Sequence, residues 1–288
     1  MTTRRMCGPM LAPRVTVLVR SSGVVQLGWD PERALLLDRT ASDTDTVLAF
    51  LRLLDGMHSR PQVIWRAGQC GIDPEDAAEL LNRIDDAGLL LHPDPRLGRV
   101  RSVRVHGLGP LSDAVATGLR RLGLRPIRSR GYRADGSVLD WHGELVVLAD
   151  SLVIEPRLAN ELVLHGIPHL QVRIRDGNKG IVGPLVFPGL TSCLRCLDLT
   201  RCEYDPEWPQ LASQLLGRVG HASPAGILAT AALLLGELEA IMHCSPERQL
   251  DTMNSTIELE LDTHRISRRE WPQHDGCGCR RIFAGSTG

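Results

Sequence analysis

GLTSCLRCLDLTRCEYDPEWP, residues 189–209, holds Cys193 and Cys196 in a C-x-x-C spacing. A second close pair, Cys277 and Cys279, stands in C-G-C near the end of the sequence. The first spacing lets two thiolates bind one metal ion, and two such pairs supply the four ligands of a tetrahedral zinc site. A site of this kind has no open position for water, so we expect a zinc ion that stabilises the fold and takes no part in catalysis.

Two other arrangements of these cysteines stay open. They are buried thiols or disulfides in one interpretation, and in another Cys202 is a rival ligand because it follows Cys196 closely. Turn-forming residues near each pair favour metal binding because they leave the sulfur atoms free to converge; these are Pro188, Gly189, Gly276 and Gly278. Nothing else in the sequence suggests an oxidising compartment.

The bulk composition is that of an ordinary globular protein of roughly two domains, with 288 residues, 43% apolar residues and a net charge of -1. No basic patch indicates nucleic acid as a partner. The longest apolar helix candidate, 227–235, is shorter than the roughly 20 residues that a membrane span needs. Pro9 and Pro13 interrupt the first apolar stretch, so we expect no signal peptide. The sequence therefore predicts a cytoplasmic protein without a membrane partner.

The first 95 residues predict a small sheet with two or three helices. Residues 14–37 form three short stretches rich in β-branched residues and separated by turns, which is typical of an antiparallel meander. Helices are predicted over 46–54 and within 72–91, the second starting at Asp73 with a proline in its first turn. This combination indicates a winged-helix-like domain over 1–95.

The order of three segments in this region resembles that of the PqqD-like peptide-recognition domain of ribosomal peptide maturation proteins. The segments are GVVQLGWDPERALLL, L-x-x-L-D-G and AAELLNRIDDAGLL. The resemblance implies that an extended leader peptide adds a strand to the edge of the small sheet and packs against a helix. A DNA-binding winged helix is the competing interpretation, and the acidic last helix argues against it; its acidic residues are Glu75, Asp76, Glu79, Asp85 and Asp86.

A second domain is predicted over 99–288, after the proline-punctuated linker HPDPRLG at 92–98. It starts with a strand over 103–106, a glycine turn and a helix over 112–122, which is how a doubly wound, Rossmann-type α/β domain begins. A further strand over 144–150 ends in Asp150. We therefore predict an α/β fold with a parallel sheet.

The glycine turn departs from the dinucleotide-binding pattern. Gly107 and Gly109 permit a close approach of the backbone, but Ser112 replaces the third glycine and Pro110 removes one N–H group from the phosphate cradle. Asp150 follows a strand at the edge of the sheet where α/β proteins bind ligands. It is equally well explained as a cap of the next helix, so these residues leave nucleotide binding open.

A Rossmann-type domain with these four cysteines resembles the ThiF/MoeB/HesA superfamily of ubiquitin-activating-like adenylyltransferases. With the N-terminal peptide-recognition domain, the C-x-x-C followed by D-P-x-W-P and the terminal C-G-C resemble the ThiF-like partner of YcaO enzymes, known as cyclodehydratase C or leader peptide-binding protein. The similarity extends over nearly the whole chain. It implies a structural zinc at Cys193, Cys196, Cys277 and Cys279.

The resemblance also specifies the residues of an adenylation site. Active members use a glycine turn, an acidic ribose partner, an N-x-x-R-Q arginine, a lysine and a magnesium-binding aspartate. Gly107 and Gly109 match the turn in part, and Asp150 matches the aspartate. The segment LRPIRSRGYRADG over 124–136 has no acidic ribose partner at the end of its strand and no N-x-x-R-Q, and the one lysine, Lys179, lies in a later hairpin. Because adenylation depends on positioned cations and metal, the sequence gives little support for ATP or Mg²⁺ as a cofactor.

The sequence therefore predicts a scaffold without adenylation activity. It would bind the leader of a precursor peptide and present the core to a YcaO-type cyclodehydratase, which uses ATP to cyclise Cys, Ser or Thr residues. Holding the peptide raises its effective concentration at the enzyme. A homodimer is expected by analogy with the superfamily. Two alternatives stay open: an ATP-dependent adenylyltransferase that activates a carboxylate, and a stand-alone zinc-stapled binding module.

Overall fold

A computed structural model describes residues 8–38, 43–92, 102–131, 137–243 and 250–280. Most of the predicted linker, 93–98, and the last part of the segment over 124–136 lie outside these residues. The chain divides into two compact units. One is formed by Met1–Arg96 with Met242–Arg248, and the other by Leu97–Ile241 with Gln249–Gly288.

The first unit contains two small antiparallel sheets. Strand β1 (Met10–Leu11) pairs with a strand near residue 90, described below, and the other sheet has three strands: β2 (Val17–Val19), β3 (Val25–Leu27) and β4 (Leu35–Leu37). Gly23 has a φ of 85°, which a glycine adopts without strain, and it forms the turn between β2 and β3. The predicted meander is confirmed.

Three helices and a short strand follow: α1 (Thr44–Leu53), α2 (Arg60–Gln69), α3 (Pro74–Asp86) and β5 (Leu90–Leu91), the partner of β1. Asp43 and Asp73 cap α1 and α3, since each side chain accepts a backbone N–H group at 2.8 Å. The helices bury apolar residues against β3 and β4, Phe50, Val63 and Leu80 among them.

The prediction for this unit was incomplete. Helix α2 was not assigned because its only buried residues, Val63 and Ala67, leave a weak apolar pattern. The stretch over 72–91 is a helix only to Asp86, where Gly88 with a φ of 67° directs the chain into β5.

The second unit is built on one mixed sheet of seven strands in the order β12–β11–β10–β9–β8–β6–β7. The strands are β6 (Ser102–His106), β7 (Ile127–Ser129), β8 (Glu144–Ala149), β9 (His169–Arg175), β10 (Lys179–Val186), β11 (Ser255–Glu260) and β12 (Ile266–Glu270). The pairs β7–β6, β6–β8 and β8–β9 are parallel, and the pairs β9–β10, β10–β11 and β11–β12 are antiparallel. The α/β class and a largely parallel half of the sheet are as predicted.

Two parts of this sheet differ from the prediction. The region over 177–188 is the long strand β10, and the terminal segment contains β12, which was not predicted. All five residues of β12 are exposed and three of them are charged, so no alternating apolar pattern marks the strand.

Five helices belong to the second unit: α4 (Pro110–Arg121), α5 (Pro156–Leu164), α6 (Leu194–Tyr204), α7 (Trp208–Leu215) and α8 (Pro224–His243). Gly118 of α4 faces Leu235 of α8 so closely that a Cβ atom would overlap the leucine side chain. The small residue therefore lets the two helices pack.

Helix α8 corrects one expectation. It has 20 residues, so the apolar stretch is longer than predicted and, by length and composition alone, is sufficient to cross a membrane. A stripe along it is buried within the protein: Ile227, Ala231, Leu234, Leu238 and Ile241. This spacing of three or four residues is that of a core helix.

Candidate metal centre and glycine turn

The four predicted cysteines form one buried cluster. The Sγ atom of Cys193 lies 3.8 Å from that of Cys196 and 3.6 Å from that of Cys277, and Cys196 lies 3.6 Å from Cys279. All four sulfur atoms are within 4.8 Å of one another. A disulfide has its sulfur atoms about 2.05 Å apart, so these residues are free thiols and the disulfide interpretation is excluded for them.

Two segments far apart in sequence supply the ligands. Cys193 is the N-cap of α6 and Cys196 lies in its first turn, so the C-x-x-C pair is not in a loop as the flanking glycines suggested. The second pair lies in a turn that is closed by the Cys277 N–H group donating to the carbonyl of His274 at 2.9 Å, followed by the short 3-10 helix Gly278–Arg280. Cys202 is outside the cluster and is not a rival ligand.

The donor set fits a tetrahedral metal ion. Zn–S bonds of about 2.3 Å place neighbouring sulfur atoms about 3.8 Å apart in a regular tetrahedron, close to the separations found here. Without a cation the thiols do not all ionise. The hydrogen bond with Cys193 lowers the pKa of Cys196 to about 4, whereas the same hydrogen bond and burial raise the pKa of Cys193, and burial raises the pKa of Cys279 to about 12. A divalent cation would stabilise all four thiolates.

Gly107, Gly109 and Asp150 meet at the carboxyl ends of β6 and β8. Strand β6 has β7 on one side and β8 on the other, so the strand order reverses at this point, which is where open α/β sheets bind ligands. The Asp150 residue has a φ of 70°, a left-handed conformation that turns its side chain into the sheet edge.

The Asp150 carboxylate fills the glycine turn. Its Oδ1 atom accepts hydrogen bonds from the N–H groups of Leu111 at 3.0 Å and Ser112 at 3.2 Å, so Asp150 caps α4 and not the helix that follows it in sequence. A Cβ atom at Gly107 would lie 2.7 Å from Oδ2, and one at Gly109 2.6 Å from Oδ1. The two glycines therefore make room for a side chain of the same protein.

The turn where the resemblance implies a nucleotide phosphate holds the Asp150 carboxylate, whose Oδ2 atom is buried without a hydrogen-bond partner among the described residues. Helix N-terminal N–H groups bind phosphate when they are free, but two of those in α4 are bonded to Asp150. Lys179, the one lysine of the chain, is paired with Glu258 at 3.0 Å and Glu260 at 2.8 Å, on the antiparallel side of the sheet. No adenylation step follows from these residues.

The three-stranded sheet of the first unit has two edges, β2 and β4. At β4 the guanidinium of Arg83, from α3, donates to the Leu36 carbonyl at 2.5 Å and pairs with Asp38 at 3.2 Å. The Leu36 backbone therefore points away from β3, and a helix borders this edge. The sequence did not single out Arg83, since an arginine on an acidic helix carries no positional signal.

Solved structures share this fold. A heterocyclase in complex with substrate and cofactor has a TM-score of 0.57 at 15% identity, covering 94% of this chain and 39% of its own. The heterocyclase TruD has a TM-score of 0.51 at 17% identity, with 94% and 42% covered. E. coli MccB with AMPCPP and MccA has a TM-score of 0.54 at 11% identity, with 94% and 99% covered.

The fold is that of these heterocyclases and of MccB. The chain spans about two fifths of the length of the heterocyclases and nearly all of MccB. Neither a family model nor a curated protein sequence matches the chain. At these identities the likeness concerns the arrangement of the chain, and function has to be argued from the site.

Proposed function

We propose that this protein is a peptide-binding scaffold of ribosomal peptide maturation. Its first unit is a PqqD-like, winged-helix-like domain that binds the leader of a precursor peptide. Its second unit is a ThiF-like, Rossmann-type domain that holds a structural zinc ion and has lost adenylation activity. It works in the cytoplasm with a YcaO-type cyclodehydratase that forms thiazole or oxazole rings.

The observation that carries the proposal is the edge of β4. A peptide that adds as a strand needs unpaired backbone groups and a neighbouring surface for its side chains. Leu36 directs its backbone outward, and its carbonyl accepts a hydrogen bond from Arg83 of α3. A docking peptide strand would replace the guanidinium at this carbonyl and pair with the outward backbone groups of Leu36, while α3 offers the neighbouring surface for side chains.

Features of the second unit favour a scaffolding role over an enzymatic one. The turn that would cradle phosphates is filled by Asp150, and the only lysine is held in ion pairs elsewhere. The heterocyclase neighbours are more than twice as long as this chain. We therefore assign the cyclisation chemistry to a YcaO-type partner and peptide capture to this protein.

Structures of similar fold have been solved with their substrates bound. One heterocyclase structure holds substrate and cofactor, and the MccB structures include complexes with MccA. Peptide substrates on this fold agree with a peptide-binding role here.

Binding of labelled synthetic peptides to the full chain tests the proposal. The peptides correspond to the short open reading frames encoded beside the gene, and fluorescence anisotropy measures affinity. Leu36→Pro removes an outward N–H group from β4, and we expect it to weaken binding at least about tenfold, as the loss of main-chain hydrogen bonds requires.

The matched control is Val19→Pro on the opposite edge. The bonds from Gly28 N–H to Thr16 and from Arg20 N–H to Val24 fix the pairing of β2, so Val19 also points its N–H group outward. We expect Val19→Pro to bind like the wild type, and circular dichroism to show both variants folded. Failure of every peptide to bind would overturn the proposal. Loss of binding in Val19→Pro alone would show that the peptide binds at the β2 edge and not at β4.

A further inference from the structure

A cavity of about 560 Å³ lies in the second unit, bounded by β9, α5, α6 and the segment after β8. Its size is that of a pocket for a small molecule or a single side chain with its neighbours. Part of its wall is aliphatic, and polar or charged side chains and three cysteines supply much of the remainder. The aliphatic part includes Leu152, Val153, Ile154, Val163, Leu194 and Leu197. It is separate from the glycine turn, which Asp150 fills.

Two polar side chains enter this cavity from the sheet. Gln171 and Arg173 alternate with apolar residues in β9, so both project from one face, and they are only 3% and 7% exposed. Among the described residues neither side chain forms a hydrogen bond or a salt bridge, although the Asp198 and Glu258 carboxylates attract the Arg173 charge. A guanidinium that is largely removed from water and makes no direct hydrogen bond costs free energy, so its place at the cavity points to a ligand.

The two carboxylates that attract Arg173, Asp198 and Glu258, are each paired with another cation. Asp198 is paired with Arg201 at 2.8 Å and accepts a hydrogen bond from Trp208 Nε1 at 3.0 Å. Glu258 is paired with Lys179. Burial, and then the Arg201 guanidinium, lower the pKa of Arg173 to about 9, so it still carries its charge at neutral pH.

We propose that this cavity binds a carboxylate carried on an aliphatic group. The Arg173 guanidinium would form a bidentate pair with the carboxylate, the Gln171 amide would donate to it, and the aliphatic walls would cover the remainder. Arg195 and Arg201 also border the cavity, and Arg201 is paired with Asp198. The aliphatic part of the wall suits a carboxylate on an apolar group better than phosphate. The carboxylate belongs either to a free acid or to a peptide, and peptide capture by the first unit is not required.

One competing explanation is electrostatic. Cys193, Cys277 and Cys279 also border the cavity, and four thiolates around a divalent cation carry a net negative charge. Arg173 would then be a permanent counter-charge of the metal centre, and no external anion would bind. The two explanations differ in a direct binding measurement.

Isothermal titration of the full, metal-loaded chain separates them. The probes are 4-methylpentanoate, its neutral amide 4-methylpentanamide, and inorganic phosphate. We expect the acid to bind at least about tenfold more tightly than the amide, because the charged hydrogen bonds are lost in the amide. Equal affinities for acid and amide, or no binding of either, would overturn the proposal, and tighter binding of phosphate would overturn the choice of carboxylate.

Arg173→Met tests the residue, with Arg175→Met as the matched control. Arg175 lies two positions along the same face of β9 and is paired with Asp176 at 3.3 Å. We expect Arg173→Met to reduce affinity for 4-methylpentanoate at least about tenfold and Arg175→Met to leave it unchanged. Retained affinity in Arg173→Met would contradict the assignment.

Two further measurements keep the test informative. If Arg173→Met does not fold, Gln171→Leu should weaken the binding of 4-methylpentanoate several-fold. Zinc content and melting temperature show whether each variant is intact. A capped tripeptide with a central glutamate, compared with its glutamine counterpart, distinguishes the source. Tighter binding of the glutamate peptide than of the free acid indicates a peptide-borne carboxylate, and the reverse order indicates a free acid.

Discussion

The Asp150 carboxylate occupies the place where a Cβ atom of residue 109 would lie, with Oδ1 at 2.6 Å from that position. The close approach of the Asp150 side chain is therefore one reason why this position needs a glycine. The carboxylate accepts N–H groups at the start of α4, where a helix favours an anion.

This relationship predicts strong coupling between the two positions. Gly109→Ala should lower the free energy of unfolding by about 1 to 3 kcal/mol because the new methyl group overlaps the carboxylate. In the Asp150→Ala background the same change should cost much less. Urea denaturation of the four proteins in a double-mutant cycle measures the coupling.

Gly68→Ala is the control for that cycle. Gly68 lies in α2 with no atom near its missing Cβ, so alanine should leave stability unchanged or raise it by up to about 1 kcal/mol. Additive effects of Gly109→Ala and Asp150→Ala would show that the two residues do not interact.

The cysteine cluster predicts a tightly held metal. We expect about one zinc ion per chain by mass spectrometry of the native protein, and a drop in the free energy of unfolding of several kcal/mol on chelation, since binding and folding are linked. Cys196→Ser should lose the metal. Cys202→Ser, outside the cluster, should keep it. Absence of metal from the native protein would refute the assignment.

Buried His169 predicts a loss of stability in acid. Burial lowers its pKa to about 4 from an ordinary value of 6.5, and its Nδ1 atom lies 3.0 Å from the Ile167 carbonyl. In the unfolded chain His169 takes up a proton below about pH 6.5, whereas in the folded chain it does so only near pH 4. The free energy of unfolding therefore decreases as the pH falls from 6.5 towards 4. The expected contribution is a loss of about 2 kcal/mol by pH 5.

His169→Gln isolates this effect. The difference in unfolding free energy between wild type and variant should change by that amount between pH 7 and pH 5, whereas the thiols titrate in both proteins. A difference that is constant with pH would show that His169 does not titrate as expected.

The solvent-exposed face of α8, which includes Leu228, predicts self-association. Leu228 is 63% exposed and shares its face with small residues, opposite the stripe that is buried. A homodimer would cover this face, so Leu228→Glu should convert dimer to monomer in light scattering. Leu164→Glu, an equally apolar exposed position on α5, should not. A wild-type chain that is monomeric at high concentration would exclude the dimer.

Several features of the site could be predicted because they depend on local spacing. The thiol pairs, the start of the α/β domain and the meander of the first unit all follow from periodicity and turn chemistry. Gln171 and Arg173 also interrupt an otherwise apolar stretch, which is visible in the sequence. Their meaning was not visible, because an unpaired guanidinium is recognised only when its neighbours are known.

The sequence by itself determined the elements, the four sulfur ligands and the glycines of the turn. Only the tertiary structure decided what fills that turn, which edge of the small sheet a helix borders, and that Arg173 is buried without a partner. The physical reason is that these relationships join side chains from strands and helices distant in sequence. Local patterns fix backbone conformation, whereas hydrogen-bond partners and burial are fixed only when the chain has packed.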